Sequence, residues 1–470
     1  MTRALRITWA VSFLLFCSSG CVAPEPVGKP ALDGRGAVVI YLQPFPQDAR
    51  DLRFSVQSMA AVQPEGDAIA LELNFHDFFG AALIGRQRRL AAEALPPGIY
   101  HGLRLHIGAA FRQSEEGEAA MLVADPEVFI PHHFEVYRGQ ATALFLEFDS
   151  SGGPAGDIVF APGFSITRAA RHLIALYGYA SNADSNLLTV FNKKTMQVTN
   201  SIATGRRPAG LAVDNRRRRL FVACSGADRI EEIDILQGAV VGQITMRLGD
   251  QPLELALTPD GRLLVSANYG SNTVSIIDAG SRIERERVSV GQKPTDVVVD
   301  AAGRRAFVVN SRSNSVSVVD LDRSALAGSL PVETTPLRAA IEPRSERLFV
   351  IHRNSPNLLA VDTRALTVVQ KIFAGLGALS LTSDSQTGLV YVGYRSGEIA
   401  IVDPSALMFV DSISLASPVA SLTIGDQENS LFALQPEKRM LLRINLTSKR
   451  VQSELEVGED AYAVAVVEQR

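Results

Sequence analysis

Seven short, strand-like strings recur through residues 171–470 of the chain. They are LTVFN, IEEID, VSIID, VSVVD, LLAVD, IAIVD and LLRIN, and each is an alternating strand that ends in Asp or Asn. Their last residues, which are 41 to 44 residues apart, are Asn192, Asp234, Asp278, Asp320, Asp362, Asp403 and Asn445. All-strand repeats of about 42 residues are typical of propeller blades rather than of helical solenoids. The pattern therefore predicts an all-β fold with a seven-bladed β-propeller over 171–470.

One unit shows the internal order of a blade. PLELALTPDGR, LLVSANYGSN, TVSIIDAGS and RIERERVSVGQK read as four strands of period two, separated by turn residues such as Asp260-Gly261. The unit resembles the YVTN family of bacterial propeller repeats, in which P-x-G-V-A-V-x-x-D-G precedes Y-V-A-N. Ser266-Ala267-Asn268 and Val308-Val309-Asn310 match best. The resemblance covers 171–470, is strongest over 206–325, weakens over 370–470, and implies a propeller.

The strand order also predicts how the ring closes. Inner strands begin at Pro208, Pro252, Pro294 and Pro336, near Gly377, at Pro418 and near Ala461, and second strands begin near His172, Leu220, Leu263, Ala306, Leu348, Leu389 and Leu431. The chain thus enters the propeller on a second strand and leaves it on an inner strand. We expect residues 461–468 to pair with the blade made by 172–204, because this pairing removes two open sheet edges.

The first 36 residues predict export and membrane attachment. Arg3 and Arg6 precede the run TWAVSFLLF, which is too short to span a bilayer as a mature helix, so residues 1–20 read as a signal peptide. Ser18-Ser19-Gly20-Cys21 resembles the bacterial lipobox, which implies a lipid on Cys21; Ser18 stands where that motif usually has Leu. The alternative is ordinary signal cleavage with Cys21 incidental. Val22 is not the Asp of an inner-membrane retention signal, which favours the outer membrane, with residues 21–36 as a tether.

Residues 37–168 show no 42-residue period and predict a separate antiparallel β-sandwich domain. About seven alternating or apolar runs fit into this segment. The run GAALIGRQRRLAAEAL is either one helix or a strand plus a loop. Leu95-Pro96-Pro97-Gly98-Ile99-Tyr100 and the strings around it resemble a bacterial lipoprotein domain with a prealbumin-like sandwich and no assigned activity.

Composition and motifs exclude several classes of protein. The net charge is −4, with 46 basic and 50 acidic residues, so the chain lacks the basic excess of a nucleic-acid binder. Three Cys exclude a disulfide scaffold, and Cys224 reads as a small buried hydrophobe. C-x-x-C-H, G-x-S-x-G, H-E-x-x-H and phosphate-loop motifs are absent from the sequence, and no His spacing forms a metal pair. We therefore expect no cofactor and no metal site. The run Arg216–Arg219 reads as a solvated turn or, alternatively, as a contact with lipid headgroups or another anion.

A set of charged residues is predicted at the mouth of the propeller channel. The residues two positions after each repeat proline should surround the mouth, and by alignment they are Gly210, Glu254, Asp296, Arg338, Ala378, Ala420 and Tyr462. Carboxylates beside an arginine can act as acid, base and anion clamp. Glu254, Asp296, Arg338 and Tyr462 are therefore possible ligand-binding residues, and the alternative is a salt-bridged plug in a narrow channel.

Two functions remain open from the sequence. The first is an envelope-anchored, non-enzymatic lipoprotein whose propeller binds envelope proteins or a small ligand. The second is an enzyme, either a lactonase-like hydrolase or an oxidoreductase partner, because similar propellers host both. A convergent metal or nucleophile set at the mouth would favour the enzyme, and the sequence shows none.

Overall fold

The computed structural model describes residues 32, 34–114, 117–149, 158–167, 174–342, 344, 346–425 and 429–468. The predicted signal peptide and Cys21 lie outside the described residues, as does most of the tether. Within the described part of the chain, no helix combines the length and apolar character needed to cross a membrane.

The N-terminal domain is built from strands. They are β1 (Gly36–Leu42), β2 (Leu52–Val62), β3 (Ala68–Leu71), β4 (Asp77–Phe79), β5 (Arg88–Leu95), β6 (Gly98–Ser114), β7 (Gly117–Val123), β8 (Glu127–Val136), β9 (Ala141–Asp149), β10 (Val159–Phe160) and β11 (Gly163–Thr167). The helix α1 (Gly80–Leu83) is one turn long, and the residues after it form β5, so the strand alternative for this run is right. The strands outnumber the seven expected because β4, β10 and β11 are too short to show alternation, and because β5 lies in the run for which a helix was one of the two alternatives.

The eleven strands form a sandwich of two sheets. One sheet has the order β11-β9-β1-β5, and the other has the order β10-β7-β6-β2-β3, with β4 also paired to β2 and β8 to β6. The pairing is antiparallel except between β1 and β9 and between β7 and β10, which are parallel. The core holds stacked phenylalanines, among them Phe45 and Phe148 with ring centroids 4.4 Å apart and Phe54 and Phe78 at 4.9 Å.

The propeller contains seven four-stranded sheets, as the repeat predicts. Blade 1 is β12 (Tyr177–Asn182), β13 (Leu187–Asn192) and β14 (Gln197–Ala203); blade 2 is β15 (Pro208–Asp214), β16 (Arg219–Cys224), β17 (Arg229–Asp234) and β18 (Ala239–Thr245); blade 3 is β19 (Pro252–Leu257), β20 (Leu263–Asn268), β21 (Thr273–Asp278) and β22 (Ile283–Ser289); blade 4 is β23 (Pro294–Val299), β24 (Arg305–Asn310), β25 (Ser315–Asp320) and β26 (Ala325–Pro331). Blade 5 is β27 (Pro336–Glu342), β28 (Arg347–His352), β29 (Asn357–Asp362) and β30 (Thr367–Phe373); blade 6 is β31 (Ala378–Ser383), β32 (Val390–Tyr394), β33 (Glu398–Asp403) and β34 (Met408–Ser414); blade 7 is β35 (Ser421–Gly425), β36 (Ser430–Gln435), β37 (Met440–Asn445) and β38 (Val451–Glu456); the last strand is β39 (Ala461–Val466).

The first strands of neighbouring blades contact one another in the ring β15-β19-β23-β27-β31-β35-β39, so these strands surround the channel.

The repeated Asp or Asn has a local structural role. In each blade its side-chain oxygen accepts the backbone N–H of the residue three positions later, and in five blades also that of the residue two positions later, at 2.7–3.2 Å. The residue four positions after each of these Asp or Asn residues has a positive φ, from Met196 in blade 1 to Lys449 in blade 7. This is the Asx-type turn that Asp and Asn favour, and it turns the chain from the third strand into the fourth.

The ring closes by the predicted pairing. β39 is antiparallel to β12, with Gly178 opposite Val466 and Ala180 opposite Val464, so the last strand of the chain supplies the inner strand of blade 1. The fully buried Lys193 secures this strand, because its Nζ donates to the Val467 carbonyl oxygen at 2.6 Å.

The N-terminal domain packs on blades 1 and 7, where the ring closes. Val39, Tyr41 and Phe145 share one apolar cluster with residues of both blades. The Tyr41 hydroxyl is 2.9 Å from the Ser201 Oγ, and Arg88 Nε is 2.6 Å from Glu456 Oε2. The two domains therefore share one apolar cluster at the closure, beside the separate core of the sandwich.

Candidate binding site in the propeller channel

A β-bulge sets the direction of the side chains at the start of each inner strand. The register shifts between Pro252 and Glu254, between Pro294 and Asp296, and between Pro336 and Arg338. A bulge places one extra residue in a strand and re-aims the neighbouring side chains. Glu254, Asp296 and Arg338 therefore occupy equivalent positions in blades 3, 4 and 5.

The structure brings the four sequence-predicted site residues together around Arg338. Arg338 Nη1 donates to Glu254 Oε2 at 2.6 Å and lies 3.6 Å from Asp296 Oδ1. Arg338 Nη2 donates to the Tyr462 hydroxyl at 3.0 Å, and the guanidinium carbon is 5.3 Å from the centre of the Tyr462 ring. These four residues, called the channel cluster below, join blades 3, 4 and 5 to the closing strand β39.

The backbone holds the carboxylates of the channel cluster in place. Asp296 Oδ2 accepts the N–H of Ala339 at 2.7 Å, and its Oδ1 accepts the N–H of Val297 at 2.9 Å. A Cβ at Gly210 would lie 2.8 Å from both the Cα and the Oε1 of Glu254, so glycine leaves the space that Glu254 fills. The side chains of Glu254, Asp296 and Arg338 are only 14%, 8% and 19% exposed.

The channel cluster contains two carboxylates and one guanidinium. Burial raises the pKa of Glu254 and of Asp296 above their ordinary values, although the charge of Arg338 opposes this rise. Burial alone would lower the pKa of Arg338, but Tyr462 and the two carboxylates raise it well above its ordinary value, so the guanidinium stays charged. Burial also raises the pKa of Tyr462, which keeps the phenol neutral. With both carboxylates ionised the cluster carries one excess negative charge, which favours uptake of a proton or a cationic group.

In blades 6 and 7, the residues at the positions equivalent to Arg338 differ from those that the alignment predicted. Ser380 pairs with Gly393 as Arg338 pairs with Ile351, whereas Ala378 corresponds to the repeat proline. The prediction that Ala378 occupies the position equivalent to Arg338 was therefore wrong. In blade 7, Ser421 rather than Ala420 occupies this position, because Ser421 pairs with Leu434. The proline marker is missing in blade 6, which left the alignment without a fixed point.

Tyr462 reaches the cluster from a different position in its bulge. Ala461 pairs with Asn182 and Val464 with Ala180, so Tyr462 and Ala463 both face the single residue Ser181. Ala463 is the residue next to Ser181 Oγ, and Tyr462 is the extra residue of the bulge. Its long side chain spans the remaining distance to Arg338.

The basic run Arg216–Arg219 and Cys224 both have structural roles in the propeller. Arg217 pairs with Asp214 at 3.1 Å and donates to the Gly261 carbonyl oxygen of the next blade, and Arg219 pairs with Glu232 at 3.0 Å. The basic run therefore links blade 2 to blade 3. Cys224 is buried, and this burial raises the pKa of its thiol well above the ordinary value.

The histidines of the sandwich make local contacts. The rings of His101 and His133 are 4.6 Å apart, and His106 Nδ1 is 2.8 Å from Glu127 Oε1. Across the described residues, no group of three or more His, Cys, Asp or Glu side chains converges in a way that could hold a metal ion.

Comparison with known proteins supports the propeller. The model of a family described as YNCE-like β-propeller matches residues 180–383. In structure the chain is similar to Kuenenia stuttgartiensis hydrazine synthase, with 17% identity and a TM-score of 0.49 over 55% of this chain and 88% of that one. It is also similar to the dihydro-heme d1 dehydrogenase NirN in complex with DHE, with 12% identity and a TM-score of 0.50 over 64% of this chain and 77% of that one. A search of the curated proteins found no significant match. At 12% identity, the likeness to NirN concerns the fold alone.

Proposed function

We propose that the protein is an envelope-anchored lipoprotein whose propeller is a non-enzymatic binding platform. The observation that carries this proposal is the channel cluster, in which the groups best suited to chemistry are bound to one another. Arg338 bonds to Glu254 and Tyr462, and both oxygens of Asp296 accept backbone N–H groups. A general acid or base must come within hydrogen-bond distance of a reacting proton. Separating one partner from a buried ion pair costs about 3–5 kcal/mol. This cost opposes a role as general acid or base for the residues of the channel cluster.

The charge of the channel cluster suits the binding of a positively charged group at the channel mouth. Glu254 and Asp296 outnumber Arg338, and all three have low exposure. A cationic side chain of a partner protein, or a small cationic ligand, would offset the excess negative charge without proton transfer. Glu254, Asp296, Arg338 and Tyr462 are therefore the binding residues that we propose.

Activity measurements test the absence of catalysis. We expect no turnover in a screen of lactones and phosphoesters with the purified protein. Turnover that is lost in the Asp296→Asn variant, while the variant remains folded by circular dichroism, would contradict the proposal and favour a hydrolase.

Photo-crosslinking in whole cells tests the binding face. Arg312 lies in an exposed turn beside the loop that leads into β23, because its N–H donates to the Gln292 carbonyl oxygen at 3.1 Å. Arg262 is also exposed but lies next to the turn between the third and fourth strands, on the opposite face. We expect a photoreactive residue at position 312 to give crosslinked species that the matched variant at 262 does not give. Crosslinking only at 262, or at neither position, would show that the mouth face is not the platform.

Cell fractionation tests the anchor. Lipidation of Cys21 and attachment to the outer membrane are proposed from the lipobox resemblance, with residues 21–36 as the tether. We expect the natural protein to fractionate with outer membranes, and the Cys21→Ser variant to be soluble if another peptidase cleaves it. A Cys21→Ser variant that stays on membranes after a high-salt wash would rule out this anchor.

A further inference from the structure

A cavity of about 510 Å³ lies between blade 5 and blade 6, away from the channel cluster. Its lining includes Phe373, Tyr394, Glu398, Phe409 and Asp411. Small-molecule sites usually measure about 300–1,000 Å³ and combine apolar walls with a few polar groups. The cavity has this size and this mixture, and it shares no lining residue with the channel cluster.

Tyr394 lines the cavity and also has an unsatisfied polar group. The residue is only 5% exposed, and its buried hydroxyl has no hydrogen-bond partner within the described structure. A buried hydroxyl without a hydrogen-bond partner destabilises the fold. Burial, and secondarily the nearby Glu398, raise the pKa of Tyr394, so the phenol keeps its proton and can donate it in a hydrogen bond. A ligand with an acceptor oxygen would satisfy this group.

Glu398 supplies a negative charge that the fold does not neutralise. Its side chain is exposed and forms no ion pair within the described part of the chain, whereas Asp411 is paired with Lys449. Phe373 and Phe409 also line the cavity, and Phe373 is 75% exposed at the end of β30. Aromatic faces attract cations within about 6 Å and cover apolar ligand surface.

We propose that this cavity binds a small organic amine with an apolar body and an acceptor oxygen. The ammonium group would pair with Glu398, the apolar body would contact Phe373 and Phe409, and the acceptor oxygen would receive the Tyr394 hydroxyl. This cavity can bind an amine whether or not the channel cluster binds a ligand.

Calorimetry with three probes tests the charge requirement. Phenylalanine amide offers an ammonium group, an aromatic body and a carbonyl oxygen. N-acetylphenylalanine amide lacks the positive charge, and phenylacetate reverses it. We expect measurable binding of phenylalanine amide and at least tenfold weaker binding of the other two. Equal affinity for the acetylated probe, or a Kd above about 10 mM for phenylalanine amide, would overturn the proposal.

Two variants assign the binding to this cavity. Glu398→Gln should weaken the affinity for phenylalanine amide at least tenfold, and Tyr394→Phe, which keeps the ring, should weaken it several-fold. Glu286→Gln removes another exposed carboxylate, from β22 of blade 3, and is the matched control, with no expected change. Unchanged affinity in both Glu398→Gln and Tyr394→Phe would place the amine elsewhere and refute the site, whereas a loss in the control alone would point to a nonspecific surface charge.

Discussion

Removing the last strand should destabilise the whole propeller, because this strand completes blade 1. Deletion of residues 459–470 takes away β39 and leaves β12 with an open edge. It also removes the Val467 carbonyl oxygen that accepts the hydrogen bond of the buried Lys193. An open strand edge is a template for aggregation.

The size of the effect follows from the buried side chains. Val464, Val466 and Val467 are each less than a tenth exposed. Full burial of one valine side chain stabilises the fold by about 1.5–3 kcal/mol, so the three together contribute roughly 5–9 kcal/mol. Because a folded domain is stable by only about 5–15 kcal/mol, the deletion should remove most of this margin.

Urea unfolding followed by circular dichroism measures the loss. We expect the truncated protein to unfold at a much lower urea concentration or to aggregate. The single variant Val464→Ala should lose about 1–3 kcal/mol. Val451→Ala, at a position 44% exposed on β38, is the control and should change stability by less than about 0.5 kcal/mol. A monomeric truncated protein with an unchanged midpoint would refute the role of β39.

Three further predictions concern single residues. Gly210→Ala should lower the free energy of unfolding by about 1–3 kcal/mol, since the new methyl group would collide with Glu254; urea unfolding measures this. Burial alone would raise the pKa of Glu333, but Lys371 and neighbouring donors hold it at about 2, below the ordinary value of 4.5. The ionised carboxylate therefore stabilises the fold above pH 4.5, and this contribution is lost as the pH falls towards 2. Between those pH values, the free energy of unfolding should depend less on pH in the Lys371→Met variant than in the natural protein. The buried Cys224 thiol, with its raised pKa, should react with iodoacetamide only after unfolding, and rapid labelling of the folded protein would contradict its placement.

The propeller could be predicted from the sequence because its markers act locally. The Asp or Asn at the end of each third strand bonds to backbone N–H groups within three residues, so the turn and the repeat are encoded in the same short string. The count of inner and second strands also implied the closure that β39 and β12 make. A local marker also made the convergence of Glu254, Asp296 and Arg338 predictable. In each of these blades a proline stands two residues before the charged residue, where the bulge begins.

The sequence by itself thus determined the repeat, the number of blades and the pairing of the ends. Only the tertiary structure decided that Ser380 rather than Ala378 occupies the equivalent position in blade 6, that the sandwich packs on blades 1 and 7, and that Tyr394 borders a cavity with Glu398. The physical reason is that periodicity fixes which face of a strand a residue occupies, whereas contacts between distant segments depend on bulge register and side-chain packing. A local pattern contains no information about those contacts.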